Sequence, residues 1–333
     1  MLPPTIYSAV EHGQTIEEKM IEIIWNSLSP DAWEARFATI KRSTLTQSYA
    51  YARAVAPQLH LRGRWGLIMR GEQEAGLAQL LEGNTFGGIL SALILDRGPL
   101  WFDGYGTQAD WQGFLTAMDK EFPHRFGRRR RLILELEDNP AHRTATEHLK
   151  PNKNLPGYQT AWVDLTADAE TLRSNMRRDI RQRLKKAEET ELEIQIDLEG
   201  KSLKSFLLGY AADKARRGYP GPDVKTLAAF ARTFLRDKKL LLMQAVNSHE
   251  VLAVIYILIH GQSATYQAGW TTDAGREVSA HHLLLFKAMQ ELKNRGVNDL
   301  DLGGIRTDGA AKGIADFKLG LGGQPMTYLN GFY

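Results

Sequence analysis

Residues 240–304 read LLLMQAVNSHEVLAVIYILIHGQSATYQAGWTTDAGREVSAHHLLLFKAMQELKNRGVNDLDLGG, and this stretch decides the fold. Three apolar runs of strand length, Leu240 to Val246, Val251 to Ile259 and Ala264 to Trp270, follow one another closely. Asn247-Ser248 and Gly261-Gln262 join them, and connections this short suit antiparallel hairpins. His281 to Arg295 then places Leu285, Met289 and Leu292 on one helical face, with Gly296 where a helix accepts a left-handed residue past its end. Asp299 to Leu302 is a short strand ending at Gly303-Gly304. The order is meander, helix, strand.

Upstream, Tyr158 to Leu165 reads as a strand, and Thr166 is an N-cap with Asp168 and Glu170 in the first turn. The helix it opens is expected to run unbroken to about Glu189, because Leu172, Met176, Ile180 and Leu184 recur every fourth residue. Leu192, Ile194 and Ile196 alternate as a half-buried strand does, and Leu203 to Arg217 and Val224 to Arg236 are helical. The first half repeats the plan. Gln47 to Val55 reads as helix, then Arg64 to Arg70, Ala75 to Leu81 and Gly88 to Leu95 as strands, with Gly71-Glu72 and Gly83-Asn84 as turns. Trp111 to Phe122 is the crossing helix and Leu132 to Glu137 the closing strand. One fold is used twice. We expect a first domain over 1–150, completed by 319–333, and a second over 151–318, with Pro140 to Pro156 as linker.

The 333 residues suit two domains, and 43% hydrophobic with 24% charged residues is ordinary globular composition. The absence of cysteine removes disulfides, thiolate nucleophiles and cysteine-based metal sites. The first twenty residues carry Glu11, Glu17 and Glu18 and no apolar core of a signal peptide, and Val251 to Ile259 is about half of a bilayer span. A cytoplasmic protein is expected. His249-Glu250 lacks a second histidine at metalloprotease spacing, and the adjacent His281 and His282 cannot face one ion from a helix, so no metal is expected.

Helix, antiparallel meander, helix, strand is the element order of the GNAT acyltransferase fold, an α/β (α+β) architecture of mixed sheets flanked by helices. Narrower motifs point further. Thr46-Gln47-Ser48 opens a helix, Arg97-Gly98-Pro99 follows the third strand, and Arg216-Arg217-Gly218-Tyr219 ends a helix. Asp301-Leu302-Gly303-Gly304 precedes Phe317-Lys318 and Leu321-Gly322-Gly323. In order and spacing, over roughly residues 35–333, these are similar to the signatures of the Fem family in its compact FemX form. Members are tandem GNAT-fold transferases that move amino acids from aminoacyl-tRNA onto peptidoglycan precursors. The family commonly has an aromatic residue where Leu321 stands here. Its early helix usually carries a phosphate-contacting lysine where Val55 stands, which leaves Arg53 as the nearest basic residue.

Aminoacyl transfer from an ester to an amine needs a neutral amine, a stabilised oxyanion and a protonated leaving hydroxyl. The ester is already activated, so no covalent nucleophile and no cofactor are called for. The resemblance implies that Lys318 steadies the oxyanion or holds the RNA end; by position alone it also fits a helix-end lysine favoured by the dipole. Arg216 matches a pyrophosphate of a nucleotide- or lipid-linked muropeptide, or is a solvated helix end. Tyr219 lies beside it. Tyr266 and Trp270 end the meander where such a fold opens its acceptor cleft, and fit core packing equally. Asp103 is a candidate base, or a solvated loop carboxylate.

The helix over 172–187 carries Arg173, Arg177, Arg178, Arg181, Arg183, Lys185 and Lys186. With Arg128 to Arg131 it is expected to form a track for a tRNA acceptor stem or to meet an anionic inner-membrane surface; a solvated basic face is the plain alternative. Two other functions stay open. One is an acyl-CoA-dependent N-acyltransferase, against which Thr272 to Ser279 offers a single glycine and two acids for a pyrophosphate. The other is a non-catalytic tRNA- or envelope-binding protein of the same fold.

Overall fold

A computed structural model describes residues 20–306 and 309–333; the stretch bearing Glu11, Glu17 and Glu18 lies outside the described residues. Strand β1 (Ile21–Trp25) leads to α1 (Pro30–Phe37), whose proline sits at the helix start behind the Ser29 cap. Helix α2 (Tyr49–Val55) is capped by Ser48, which accepts a hydrogen bond from the Tyr51 amide. Gln47 falls outside that helix. Its side chain is buried and bonds the Gln79 backbone in both directions, at 3.1 and 2.7 Å, so the motif glutamine acts as an extra strand rung.

Strands β2 (Arg62–Arg70), β3 (Gln73–Thr85) and β4 (Leu90–Gly98) form the first meander, and the two-residue β5 (Leu100–Trp101) pairs with β3. Helix α3 (Gln108–Glu121), closed by a Thr107–Asp110 capping box, returns the chain to β6 (Arg128–Leu134), parallel to β4. The sheet order is β1-β2-β3-β4-β6. The turn expected at Gly83-Asn84 is displaced: both lie inside β3 and the chain reverses at Phe86–Gly88. Gly83 serves clearance instead, since a Cβ there would stand 2.5 Å from Leu61.

The linker holds α4 (Pro140–Ala145). The second half runs β7 (Gln159–Asp164), α5 (Ala169–Asn175), α6 (Arg178–Glu188), β8 (Glu193–Asp197), α7 (Leu203–Arg217) and α8 (Val224–Arg236). It continues with β9 (Leu240–Asn247), β10 (Glu250–His260), β11 (Ser263–Thr271), α9 (Asp273–Glu277), α10 (Ala280–Asn294) and β12 (Asp299–Asp301). Helix α11 (Lys312–Gly320) and β13 (Gln324–Thr327) end it, in a sheet ordered β13-β7-β12-β11-β10-β9-β8. The tail divides. Strand β13 joins the second sheet beside β7, whereas Tyr328 and Phe332 bridge to Glu137 and Leu132 of the first half.

Alternation along β10 sets the layers. Ile255 and Ile257 pack with α5, α6 and α10, while Val254, Tyr256 and Leu258 pack with α7 and α8. Each such fully buried side chain contributes about 1.5–3 kcal/mol. Ala50 and Ala54 of α2 enter the second of these clusters, so the halves share apolar core.

The helix expected to run unbroken to Glu189 is two helices. The stripe residues Leu172, Met176, Ile180 and Leu184 are all buried, yet Met176 is extended at ψ 146 and the Arg177 amide bonds the Gly320 carbonyl at 2.9 Å. The C-terminal tail docks into the break. Gly322 makes this possible at φ +85, where a Cβ would stand 2.9 Å from the Asn175 backbone. Gly322→Ala is expected to cost about 1–3 kcal/mol in urea unfolding; an unchanged midpoint would show that the tail can shift without loss.

Candidate active site

The parallel strands β11 and β12 pair only over Ser263–Thr265 with Asp299–Asp301. Beyond that, β11 keeps β10 on one side and, among the described residues, has no strand on the other, with a bulge at Tyr256/Ile257 sharpening the divergence. In the first sheet the equivalent pair, β4 and β6, stays zipped from Ser91/Arg128 to Gly98/Leu134. Only the second sheet therefore opens at the carboxyl ends of its parallel strands, where α/β sheets bind ligands. A cleft of about 440 Å³ lies there, bordered by α6, the end of α7, the start of α10 and α11. A larger hollow, about 1180 Å³, lies between β1 and α3, but its buried acid Asp110 is taken by Arg70 and by the Thr107 cap.

Lys318 forms the floor. It is 8% exposed, and its Nζ donates to the Gly304 carbonyl at 3.0 Å and lies 5.7 Å from the Tyr266 ring. Burial pulls its pKa down to about 8 against the opposing pull of Asp301. Gly303, at φ +74, supplies the room: a Cβ would stand 3.4 Å from Nζ and 2.9 Å from the Tyr266 carbonyl. The Tyr266 hydroxyl meets His281 Nε2 at 3.0 Å, and His281 Nδ1 meets Thr271 Oγ1 at 3.0 Å. Burial, reinforced by His282, lowers the His281 pKa to about 3, so the ring is neutral, with one donating and one accepting nitrogen. Phe317 packs edge-on to both histidines, 5.7 and 4.9 Å between centroids. The sequence reading set both histidines aside as metal ligands and gave them no place; their position at the first turn of the helix after the meander was the available signal.

Tyr219 and Trp270 also line the cleft. Tyr219 donates to the buried Asp213 at 3.1 Å, and Trp270 Nε1 donates to the Phe206 carbonyl at 3.1 Å. Arg216 is not among the lining residues. Its guanidinium is engaged by Asp273 at 2.9 Å and Asp213 at 3.4 Å, and its neighbour Arg217 faces the cleft instead. Arg53 is exposed on α2 and Asp103 is almost wholly exposed, 3.7 Å from Lys41; neither borders the cleft.

The basic helix is partly committed. Arg173 pairs with Glu188 and lies over Phe286, Arg177 pairs with Asp179 and Asp316, and Lys185 approaches Glu189 at 3.9 Å. Arg181 donates to the Ser174 and Met176 carbonyls, closing α5. Arg178, Arg183 and Lys186 have no ion pair among the described residues, and Arg183 reaches the cleft. The run Arg128 to Arg131 belongs to β6 of the other sheet, with Arg130 buried against Asp119. The two parts of the expected track thus lie on α6 of the second half and β6 of the first sheet.

The motif residues Arg97 and Asp301 meet between the halves. Arg97 donates two bonds of 2.9 Å to Glu135 and one of 2.7 Å to Asp301, with its guanidinium 4.5 Å from the Tyr158 ring and 5.3 Å from the Tyr328 ring. Asp301 also accepts from Thr160 and from the Gly303 amide at 2.8 Å. One carboxylate thus ties the first half to the glycine pair that holds Lys318.

Residues 174–319 match the Acetyltransferase (GNAT) domain family. Among solved structures the chain is similar to FemX, with a TM-score of 0.76 and 14% identity over 93% of this chain and 96% of that one. It is also similar to a conserved protein of unknown function from Bacteroides thetaiotaomicron VPI-5482, with a TM-score of 0.56 and 10% identity over 92% and 100%. A tandem GNAT protein from the clavulanic acid biosynthesis pathway gives 0.50 and 11% over 94% and 98%. No curated protein sequence matches the chain. At these identities the likeness is one of fold: two mixed sheets flanked by helices, GNAT units in tandem, arranged as in FemX. Among the described residues no helix is long and apolar enough to cross a membrane.

Proposed function

We propose that the cleft transfers an aminoacyl group from aminoacyl-tRNA to an amine of a peptidoglycan precursor, nucleotide- or lipid-linked. The observation that carries this reading is Lys318: a lysine buried where β11 and β12 part, with one donor on Gly304 and no other hydrogen bond among the described residues. With a pKa of about 8 it is mostly an ammonium at neutral pH. The acceptor amine attacks the ester carbonyl, the oxyanion forms against the ammonium, and the bond to the ribose oxygen breaks. The proton lost by the amine ends on that oxygen, so nothing beyond donor and acceptor is consumed.

Tyr219, Tyr266, Trp270 and Phe317 offer faces for unpaired bases, and Arg183 and Arg217 offer charge for the phosphates between them, which suits a single-stranded RNA end. The Fem-like motifs and the FemX-like fold support the same donor and acceptor. We place the reaction in the cytoplasm, with domain limits at 1–150 and 151–318 and a shared tail.

The test is incubation of the purified protein with radiolabelled aminoacyl-tRNAs and with UDP-linked and lipid-linked muropeptides. RNase-sensitive transfer of label to either acceptor is expected. Deacylation without a labelled acceptor would point to another amine. Turnover of acyl-CoA with no use of tRNA would replace the reading with an acyl-CoA enzyme, and tRNA binding without any turnover would leave a binding protein.

A further inference from the structure

The end of the first sheet remote from the domain junction carries uncovered apolar side chains. Phe86, Ile89 and Leu90, at the turn between β3 and β4, are 75, 66 and 44% exposed, and Phe126, in the turn before β6, is 95% exposed. The two turns are built as one tip. The Ser91 amide bonds the Gly127 carbonyl at 2.9 Å, and Arg125 donates to the Gly88 carbonyl at 3.2 Å. A Cβ on Gly127 would stand 2.2 Å from the Ile89 carbonyl oxygen, so only glycine lets the turns touch. Phe86 itself is held at φ +51, left-handed backbone that a bulky residue seldom adopts.

Charge at the tip itself is positive, with Glu82 and Glu121 just behind it. Residues 83–91 contain no charged side chain, whereas 122–131 contain five arginines and no acid. Arg130 is turned inward, but Arg125, Arg129 and Arg131 are exposed and Arg128 is half-buried over the Phe122 ring. Burial first, then the adjacent Arg125 and Arg130, lower the Arg128 pKa against the opposing pull of Glu121 and Glu82.

We propose that this tip is a membrane-contact site: Phe86, Ile89, Leu90 and Phe126 enter the headgroup region of an anionic lipid surface, and the surrounding arginines hold its phosphates. Apolar side chains ringed by cations are what binds such an interface. A stable protein partner needs some twenty to thirty residues a side, on the order of 800 Å², and four side chains on a projecting turn fall far short of that. Nucleic acid is matched poorly as well, because Ile89 and Leu90 give no stacking face. Strand β4 runs from Leu90 at the tip to Gly98 at the junction, roughly 25 Å, so the tip is separate from the cleft.

The experiment compares phosphatidylcholine vesicles with and without phosphatidylglycerol, at low and high salt, using co-sedimentation of the full chain. Wild type is expected to bind the anionic vesicles and to weaken as salt rises. The double variant Phe86→Ser with Phe126→Ser is expected to lose about tenfold or more in partitioning. Arg129→Glu is expected to lose about fivefold or more at low salt and much less at high salt. Phe86, Phe126 and Arg129 are all exposed, and circular dichroism and melting of both variants should match wild type. Wild type that ignores anionic vesicles, or variants that bind as wild type does, would overturn the proposal. So would a wild-type dimer abolished by the serine variant, which makes the occupant a second copy. Lost tRNA affinity with vesicle binding intact, in the glutamate variant, would overturn it in favour of RNA.

Discussion

Lys318→Met is expected to lower aminoacyl transfer by about a hundred- to a thousandfold, the effect of removing one preorganised oxyanion donor, while leaving the protein at least as stable as wild type. The two halves of this result have one cause. Lys318 is 8% exposed and its pKa falls from 10.5 to about 8, so keeping it charged at neutral pH costs the fold on the order of 3 kcal/mol. Between those two values the unfolded chain holds the proton more tightly, and stability therefore rises with pH across the window. Methionine fills similar volume without the charge, removes that slope and recovers much of the cost. Urea unfolding at neutral and alkaline pH reads the stability half; single-turnover transfer reads the other. The pH profile adds a check. Transfer that needs the ammonium should decline as pH rises through about 8, on top of a rise from deprotonation of the acceptor amine. A variant that transfers at the wild-type rate, or whose loss tracks unfolding, would remove Lys318 from the chemistry.

Most of the fold was legible because its signals are local. The β9–β11 meander, α10 and β12 lie within a residue or two of the runs that announced them, and the Leu172 stripe is buried as its spacing demands. What was misread depends on distant partners. The break at Met176 is made by Gly320 and Gly322, well over a hundred residues on, and nothing near Met176 announces it. Gly83 looked like a turn because clearance for Leu61 leaves the same letter as a reversal. That error also hid the Phe86 tip. At the site, Lys318 and Tyr219 were reached through motif order and Tyr266 and Trp270 through their place at the end of the meander, and the cleft gathers all four. Arg216 is engaged by Asp213 and Asp273, charges on two other turns, while Arg217 borders the cleft. His281 needed the tertiary pairing with Tyr266 and Thr271 to acquire a role.

Arg97→Met should be the most destabilising single change outside the apolar core, at about 3–5 kcal/mol, because it strands two buried carboxylates rather than deleting one contact. Asp301 is wholly buried, and Glu135 is 12% exposed at its side chain. Against a total stability of about 5–15 kcal/mol such a loss is large. Lysine is not expected to rescue it, since one ammonium cannot reach Glu135 twice and Asp301 once. The acid limb of stability should move as well. Burial alone would raise the Asp301 pKa, but Arg97, Thr160 and the Gly303 amide hold it below its ordinary value. Its contribution is therefore complete above the unfolded aspartate pKa and is lost only as pH falls through the lower folded value. Without Arg97 burial is opposed only by Thr160 and the Gly303 amide, the pKa rises, and the variant should begin to lose stability at a higher pH than wild type. Urea midpoints measured across the acid range would show both the drop and the displaced limb. A second consequence separates a structural role from a purely local one. Asp301 bonds the Gly303 amide beside Lys318, so transfer measured under conditions where Arg97→Met is still folded should also fall. A variant that melts within about 1 kcal/mol of wild type and transfers normally would leave the shared apolar contact between α2 and α8 as what joins the two halves.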